Sequence, residues 1–299
     1  MLPSLSIIVP SFNQAAYLEE TLLSIIHQQY PALELIVIDG GSTDGSRDII
    51  RKHEGHIAYW VSEPDRGQSH AINKGFEKAT GEWIACMNSD DCYLPGAFEY
   101  VFGVLPWEVA DFLFGHICLG STISNAEPAI NPPAFRRRLA DILKFAHSAR
   151  YIIPSQSVFV RRKLLQETGY LDETLNFCMD LDWYCRIFLT NAHRVFYDKP
   201  VSFFRTQPVS KTNTGGGAFL AEAIMVARRY LHHLPENERR ELENILQYDT
   251  CFALIDETKT GYFFALTSLF FKYPFISMED VRFRTKLKNY LLPPKKAGA

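Results

Sequence analysis

The stretch Trp83-Ile84-Ala85-Cys86-Met87-Asn88-Ser89-Asp90-Asp91 decides how this chain is read. Its first five, mostly apolar residues read as a buried strand that runs straight into two adjacent carboxylates, before a turn at Leu94-Pro95-Gly96. In open α/β sheets ligands bind in the crevice beyond the carboxyl ends of the strands, and neighbouring Asp residues there suit a hard divalent cation. The alternative is structural: Asp90 or Asp91 caps a helix expected to start near Pro95.

Upstream, the same unit recurs. Leu5-Ser6-Ile7-Ile8-Val9 is a β-branched run closed by Pro10-Ser11-Phe12-Asn13, and Tyr17 to Ile26 follows at helical spacing. Leu33 to Asp39 repeats the strand and passes through Gly40-Gly41-Ser42-Thr43-Asp44-Gly45 into a helical run at Arg47 to Ile50. A third strand, Ile57 to Val61, leads through Glu63-Pro64-Asp65-Arg66-Gly67 to a helix from about Ser69 to Lys78. Strands alternating with helices predict parallel pairing, so the first hundred or so residues read as a mainly parallel, doubly wound α/β sheet. Four strand ends then gather polar groups on one edge: Pro10 to Asn13, Asp39, Asp65 to Gly67, and Asn88 to Asp91. Asp39, taken alone, fits an Asx turn as well as a ligand contact. Gly40-Gly41 lacks the Gly-x-Gly-x-x-Gly spacing of dinucleotide folds and no Walker lysine follows, which sets aside nicotinamide enzymes and P-loop NTPases.

Pro10-Ser11-Phe12-Asn13, Val37 to Gly45, Asp65-Arg66-Gly67 with Ala71-Ile72-Asn73-Lys74-Gly75, and Asn88-Ser89-Asp90-Asp91 resemble successive motifs of family-two glycosyltransferases. The resemblance implies the GT-A fold, the nucleotide-diphospho-sugar transferase fold. It implies that Pro10, Ser11 and Asn13 line the nucleotide pocket and that Asp39 accepts a hydrogen bond from the base. Asp65, Arg66 and Gly67 would lie beside base and diphosphate, with Asn73 supporting that loop or touching the donor. Asn88-Ser89-Asp90 stands where the family has its Asp-x-Asp motif, which makes Asp90 the expected ligand of a divalent cation, Mn²⁺ or Mg²⁺. Asn88 offers a carbonyl oxygen without charge at the first position, a departure that shifts ligation toward Asp91, water and the diphosphate.

The second half carries acceptor-side features. Asp111 to Ile117 reads as a strand, and Phe135 to His147 as a helix opening with Arg136-Arg137-Arg138, either a solvated face or a contact for an anionic membrane surface or a phosphate-bearing acceptor. Pro154 to Arg162 resembles the family's acceptor-domain strand leading into a helix. In Cys178-Met179-Asp180-Leu181-Asp182-Trp183-Tyr184-Cys185-Arg186, the two Asp residues are two apart and cannot share a helix face. Asp182 stands four before Arg186, as in an i,i+4 pair, and Asp180 fits an N-cap. The resemblance instead makes Asp180 the general base, with Met179 where the family often has Glu. Val201 to Thr212 resembles the strand and loop that close the donor site, with Gln207 where relatives commonly have His. Thr212-Asn213-Thr214-Gly215-Gly216-Gly217 is polar and flexible, suited to a lid and a domain boundary.

The organisation expected is a catalytic domain over residues 1–215, divided into a nucleotide-sugar half (1–105) and an acceptor half (106–215), followed by a helical extension over 216–299. Phe219 to His232, Glu236 to Asp249 and Tyr262 to Phe271 read as amphipathic or aromatic helices, and Pro293-Pro294-Lys295-Lys296 as a tail. Phe270, Phe271, Tyr273 and Phe275 beside Lys272, with Arg282, Arg284, Lys286 and Lys288 beyond, leave peripheral docking on a membrane open.

A net charge of -3 gives no basic excess for nucleic acid. The six cysteines have no zinc-type spacing and read as reduced thiols of a cytoplasmic protein. Met1-Leu2-Pro3-Ser4 has no basic n-region, and the aromatic run is cut by Lys272 and Pro274 well short of a bilayer, so neither signal peptide nor membrane span is expected. The resemblance implies an inverting transfer from a nucleotide-diphosphate sugar, UDP-linked, to a glycan or lipid-linked acceptor. Two other readings remain: a non-catalytic sugar-nucleotide-binding module, and a nucleotidyltransferase.

Overall fold

A computed structural model describes residues 2–129, 138–144, 153–207, 210–211, 215–255 and 262–291. The chain separates into two compact units, one of residues 1–134 and 152–214, the other of 135–151 and 215–299. Residues 135–151, expected in the acceptor half, thus group with the C-terminal helices. Arg136, Arg137, Thr212 to Thr214 and Pro293 to Lys296 lie outside the described residues.

In the first unit the strands are β1 (Leu5–Ser11), β2 (Leu33–Asp39), β3 (Tyr59–Ser62), β4 (Trp83–Cys86), β5 (Cys92–Tyr93), β6 (Phe112–Gly120), β7 (Glu127–Ala129), β8 (Val158–Arg161) and β9 (Arg194–Arg205). They form one sheet of order β3-β2-β1-β4-β8-β6-β9-β5, with β7 beside β6. The first four strands pair in parallel, as alternation with α1 (Ala15–Ile26), α2 (Ser46–Lys52) and α3 (Gln68–Lys78) dictates. Beyond β4 the sheet is mixed. β4–β8, β6–β8, β6–β7 and β5–β9 are antiparallel, while β6–β9 is parallel. The mainly parallel sheet expected over the first hundred or so residues is that of β1 to β4; beyond it the long β6–β9 pair is again parallel, and short antiparallel pairs make the whole sheet mixed.

The core lies around β1, with Leu5, Ile7 and Val9 packed among Leu18, Leu22, Leu35, Trp83 and Phe159. Pro10 has no N–H with which to extend the β1–β4 ladder, whose last pair is Ile8 with Cys86. The strands therefore part at the edge where the polar groups collect. α4 (Ala97–Gly103) begins after Gly96, with β5 between it and the two carboxylates, so neither Asp90 nor Asp91 caps it.

The remaining elements of this unit are α6 (Arg162–Thr168) and α7 (Met179–Phe188); α5 (Leu139–Leu143) belongs to the second unit. In that unit, helices span Gly216–Tyr230, Glu236–Ala253, Tyr262–Lys272, Pro274–Glu279 and Val281–Leu291. Their core comprises Tyr248, Phe252, Leu266, Leu269 and Phe283. Arg282 bridges the buried carboxylates of Asp249 and Asp280, and Tyr248 donates to Asp280 at 3.0 Å. Arg138 is exposed and pairs with Glu238 and Asp141.

α3 approaches β1 so closely that a Cβ at Gly75 would lie 2.4 Å from Ile8 Cγ2. In an open helix Gly→Ala gains about 1 kcal/mol. Here the overlap wins, and Gly75→Ala is expected to destabilise the protein by about 1–3 kcal/mol, read as a lower urea midpoint at unchanged slope. A raised midpoint would show that α3 can move off the sheet.

Candidate active site

Because β1 to β4 run parallel, their carboxyl ends share one edge, and the expected donor residues stand along it. Asp39 ends β2 fully buried, opposite Ser11 and Ser62 in register. Its carboxylate accepts from Ser42 N (2.9 Å), Gly41 N (3.2 Å), Ser42 Oγ (2.5 Å) and Ser62 Oγ (2.6 Å). It thereby shapes the Gly40–Thr43 turn, the Asx-type role, and those oxygens are already engaged. Asn13, at φ 52°, accepts from Thr43 N at 3.0 Å while its own N–H donates to Ser42 Oγ, so β1's exit loop is laced to that turn. Ser11 Oγ is buried and finds no hydrogen-bond partner among the described residues.

Phe12, passed over as a site residue in the sequence reading, is 59% exposed. A Cβ at Gly40 would lie 3.1 Å from the Phe12 ring and 2.6 Å from Asp65 Oδ2, so the absent side chain leaves these two groups room to close on each other. A large exposed aromatic in a polar loop was the available signal. Asp65 accepts from Gly67 N at 2.8 Å. Arg66 is turned to Glu173, donating through Nε at 3.2 Å and through Nη2 at 2.5 Å. Asn73 is fully committed to the segment before α7: it donates to Leu171 O (3.0 Å) and Glu173 Oε1 (3.1 Å) and accepts from Leu171 N (2.9 Å). Its place is that of a tie between the two halves of the first unit.

In the turn between β4 and β5 the two carboxylates diverge. Asp91 is buried and accepts from Arg205 N (2.8 Å), Gln156 Nε2 (2.7 Å) and Asn88 Nδ2 (3.1 Å). Burial, with the charge of Asp90 added, pushes it up to about 7 against the pull of those donors. Asp90 is half-buried and accepts from Gln207 Nε2; burial raises its carboxyl above the usual range, opposed by Gln207 and Arg205. Asp91, expected to share the cation, is thus taken up by the sheet, and among the described residues no group of three or more His, Cys, Asp or Glu side chains is placed to hold a metal. Ser89 between them is buried. Asn88 Oδ1 accepts from Gln68 Nε2 at 2.8 Å.

Asp180 stands in the second position of α7, after Cys178 as N-cap, so it is not itself the cap; its Oδ1 accepts from Leu181 N at 2.7 Å. Asp182 faces the other way and pairs with Arg186 at 3.1 Å, as the i,i+4 spacing predicts. Asp180, Asn88 and Gln68 line one cavity of about 50 Å³, walled by apolar groups including Ile72, Phe76 and Trp183. Lys211 donates to Gln68 Oε1 (3.2 Å) and to Asn176 O (3.0 Å). Arg205 and Gln156 were not legible as site residues in the sequence, since nothing local marks a residue whose partners are more than sixty positions away.

With this geometry in hand, comparison with known proteins is decisive. The sequence profile of Glycosyl transferase family 2 matches residues 6–165. This chain belongs to that family. An uncharacterised glycosyltransferase of Nostoc is 25% identical over 173 residues, 56% of this chain and 54% of the relative. The putative teichuronic acid biosynthesis glycosyltransferase TuaG of Bacillus subtilis is 39% identical over 94 residues, 30% of this chain and 36% of that protein. The chain thus spans about half of the first relative and about a third of the second. Among solved structures, residues 1–349 of S. aureus TarS, in complex with UDP-GlcNAc, superpose with a TM-score of 0.66 at 17% identity, over 96% of this chain and 89% of that one. The mannosyltransferase PcManGT of Pyrobaculum calidifontis, in complex with GDP-Man and Mn²⁺, gives 0.63 at 19%, over 97% and 80%. At such identities the likeness shows the fold, which is the GT-A fold expected from the motifs.

Arg205 joins β9 to Asp90 O (2.9 Å), Ser121 O (3.1 Å) and Glu20 (2.6 Å) from a buried position. Arg205→Met is expected to lower stability by about 2–3 kcal/mol, as loss of hydrogen bonds from a charged group implies. Chemical denaturation checks this, and an unchanged midpoint would show the network is dispensable.

Proposed function

We propose that the chain is an inverting glycosyltransferase that moves a sugar from a nucleotide-diphosphate donor, UDP-linked, to a hydroxyl of a glycan or lipid-linked acceptor. The observation that carries this reading is that Asn88, just past the end of β4, and Asp180, at the start of α7, line one cavity bounded by α3, β4, β8 and α7, with Asp90 two residues beyond Asn88 in the chain. Family membership and the donors held by TarS and PcManGT support it. A catalytic domain within residues 1–215, without the 135–151 segment that groups with the C-terminal helices, fits the same reading.

The chemistry divides between two carboxylates. Asp180 takes the proton of the acceptor hydroxyl as its oxygen bonds to the anomeric carbon, and the bond from that carbon to the diphosphate breaks with inversion. Asp90 fits a divalent cation as the single protein carboxylate, since Mg²⁺ and Mn²⁺ sites that hold a diphosphate fill from its oxygens and water. Such a cation would supply charge neutralisation for the departing diphosphate. Gln207 holds the Asp90 carboxylate in place. Phe12, with Ser11, Asn13 and Asp65, provides an aromatic platform and polar rim for the base, and Arg66 and Gly67 flank the diphosphate.

A thermal-shift series with UDP, GDP, CDP, dTDP and ATP, each with Mn²⁺, Mg²⁺ or EDTA, tests the site. A metal-dependent rise with UDP is expected, lost in Asp90→Ala; no rise with any nucleotide in folded protein would favour neither transfer nor donor binding. Asp180→Asn should lower transfer by at least about a hundredfold while leaving the UDP-induced rise unchanged. Full activity in that variant would remove Asp180 from the mechanism. Release of pyrophosphate from a nucleoside triphosphate would identify a nucleotidyltransferase instead, and donor binding without transfer a non-catalytic module.

A further inference from the structure

The second unit presents apolar groups where a water-facing helix should not. In helix Tyr262–Lys272, Leu266 and Leu269 pack into the core with Tyr248, Phe252 and Phe283. At about 100° per residue, Phe264 and Phe271 fall on the opposite face, and they are 80% and 81% exposed. Polar residues belong on that face of a surface helix. In the next helix, Pro274–Glu279, Phe275 is 84% and Met278 58% exposed. The sequence pointed to a partly different set: Phe270 and Tyr273 are half-buried, their rings 6.2 Å from Phe283 and 5.8 Å from Tyr248.

Charge accompanies these side chains. From residue 262 onward the chain has seven Lys or Arg and two Asp or Glu, although the whole chain is at -3. Arg284 and Lys288, one turn apart on helix Val281–Leu291, are exposed, while Phe283 of the same helix is part of the core. Lys272, also exposed, follows Phe271. No described helix is long and apolar enough to cross a membrane. An apolar face flanked by cations on short helices is the pattern of an element lying in a lipid interface.

We propose that residues 262–291 dock on a bilayer surface bearing anionic headgroups. Phe264, Phe271, Phe275 and Met278 enter the boundary between headgroups and acyl chains, and Lys272, Arg284 and Lys288 meet the lipid phosphates. Charge selects this occupant over a second copy of the chain, because an isologous contact would lay the same cations against themselves. The inference is independent of the transfer chemistry and stands or falls without it.

Vesicle co-sedimentation of the full chain tests it, with phosphatidylcholine alone and with added phosphatidylglycerol. The wild type is expected to pellet with the anionic vesicles only. F264S/F271S/F275S should abolish binding, and R284Q/K288Q should weaken it about fivefold for each charge removed, with unfolding temperatures unchanged because these groups face outward. Failure of the wild type to bind anionic vesicles, or equal binding to neutral ones, overturns the proposal. So does undiminished binding by the folded aromatic variant. A concentration-dependent dimer that this variant abolishes would assign the face to a second copy instead.

Discussion

A carboxylate buried where three strands meet must be surrounded by donors or stay protonated, and Asp91 occupies that position. It gathers the end of β4 through Asn88, the segment entering β8 through Gln156, and the end of β9 through the Arg205 backbone. Segments more than a hundred residues apart in the chain are thereby held at one point. The side chain of Arg205 reinforces the junction by bonding Asp90 O and Glu20 and lying over the Tyr17 ring at 4.8 Å. Loss of any partner would leave a buried carboxylate oxygen short of a donor, which costs more than the bond itself contributes.

This junction explains why adjacent Asp residues do different things. The chain turns between β4 and β5, where Asp91 N donates to Asn88 O at 3.1 Å, and this turn leaves Asp90 half-buried beside Gln207 while Asp91 is buried among Asn88, Gln156 and the Arg205 backbone. The crevice exists because the β1–β4 ladder stops before Pro10. Its far wall comes from the second half of the same unit, where Asn73, Ser69 and Arg66 tie the start of α3 to the segment before α7. Those ties place Asp180 at the cavity that Asn88 lines. Residues that the family resemblance assigns to the donor, Asn73 and Arg66 among them, are therefore engaged in tying these segments together.

The helical unit is organised by other forces. Asp249 and Asp280 are buried and answered by Arg282, whose guanidinium they hold above its usual range against desolvation. Aromatic rings fill the space between the helices, Phe263 stacking on Tyr290 at 4.9 Å and Phe270 on Phe283. The same aromatic abundance that supplies this core spills onto the outside at Phe264, Phe271 and Phe275, so its composition alone could not separate core from surface.

By itself the sequence determined the alternation of strands and helices through residue 86, the parallel pairing of β1 to β4, the edge on which their polar ends collect, and the family. Each follows from hydrophobic period and from closely spaced motifs, which are local properties of the chain. The i,i+4 partnership of Asp182 with Arg186 was legible for the same reason. Only the tertiary structure decided that the sheet becomes mixed beyond β4, that Asp39 and Asn73 spend their polar atoms on neighbouring loops, and that Asp91 faces inward while Asp90 does not. It alone brought Gln156, Arg205 and Gln207 to the two carboxylates, because such partners are chosen by strand order and burial, and neither leaves a mark at short range in the sequence.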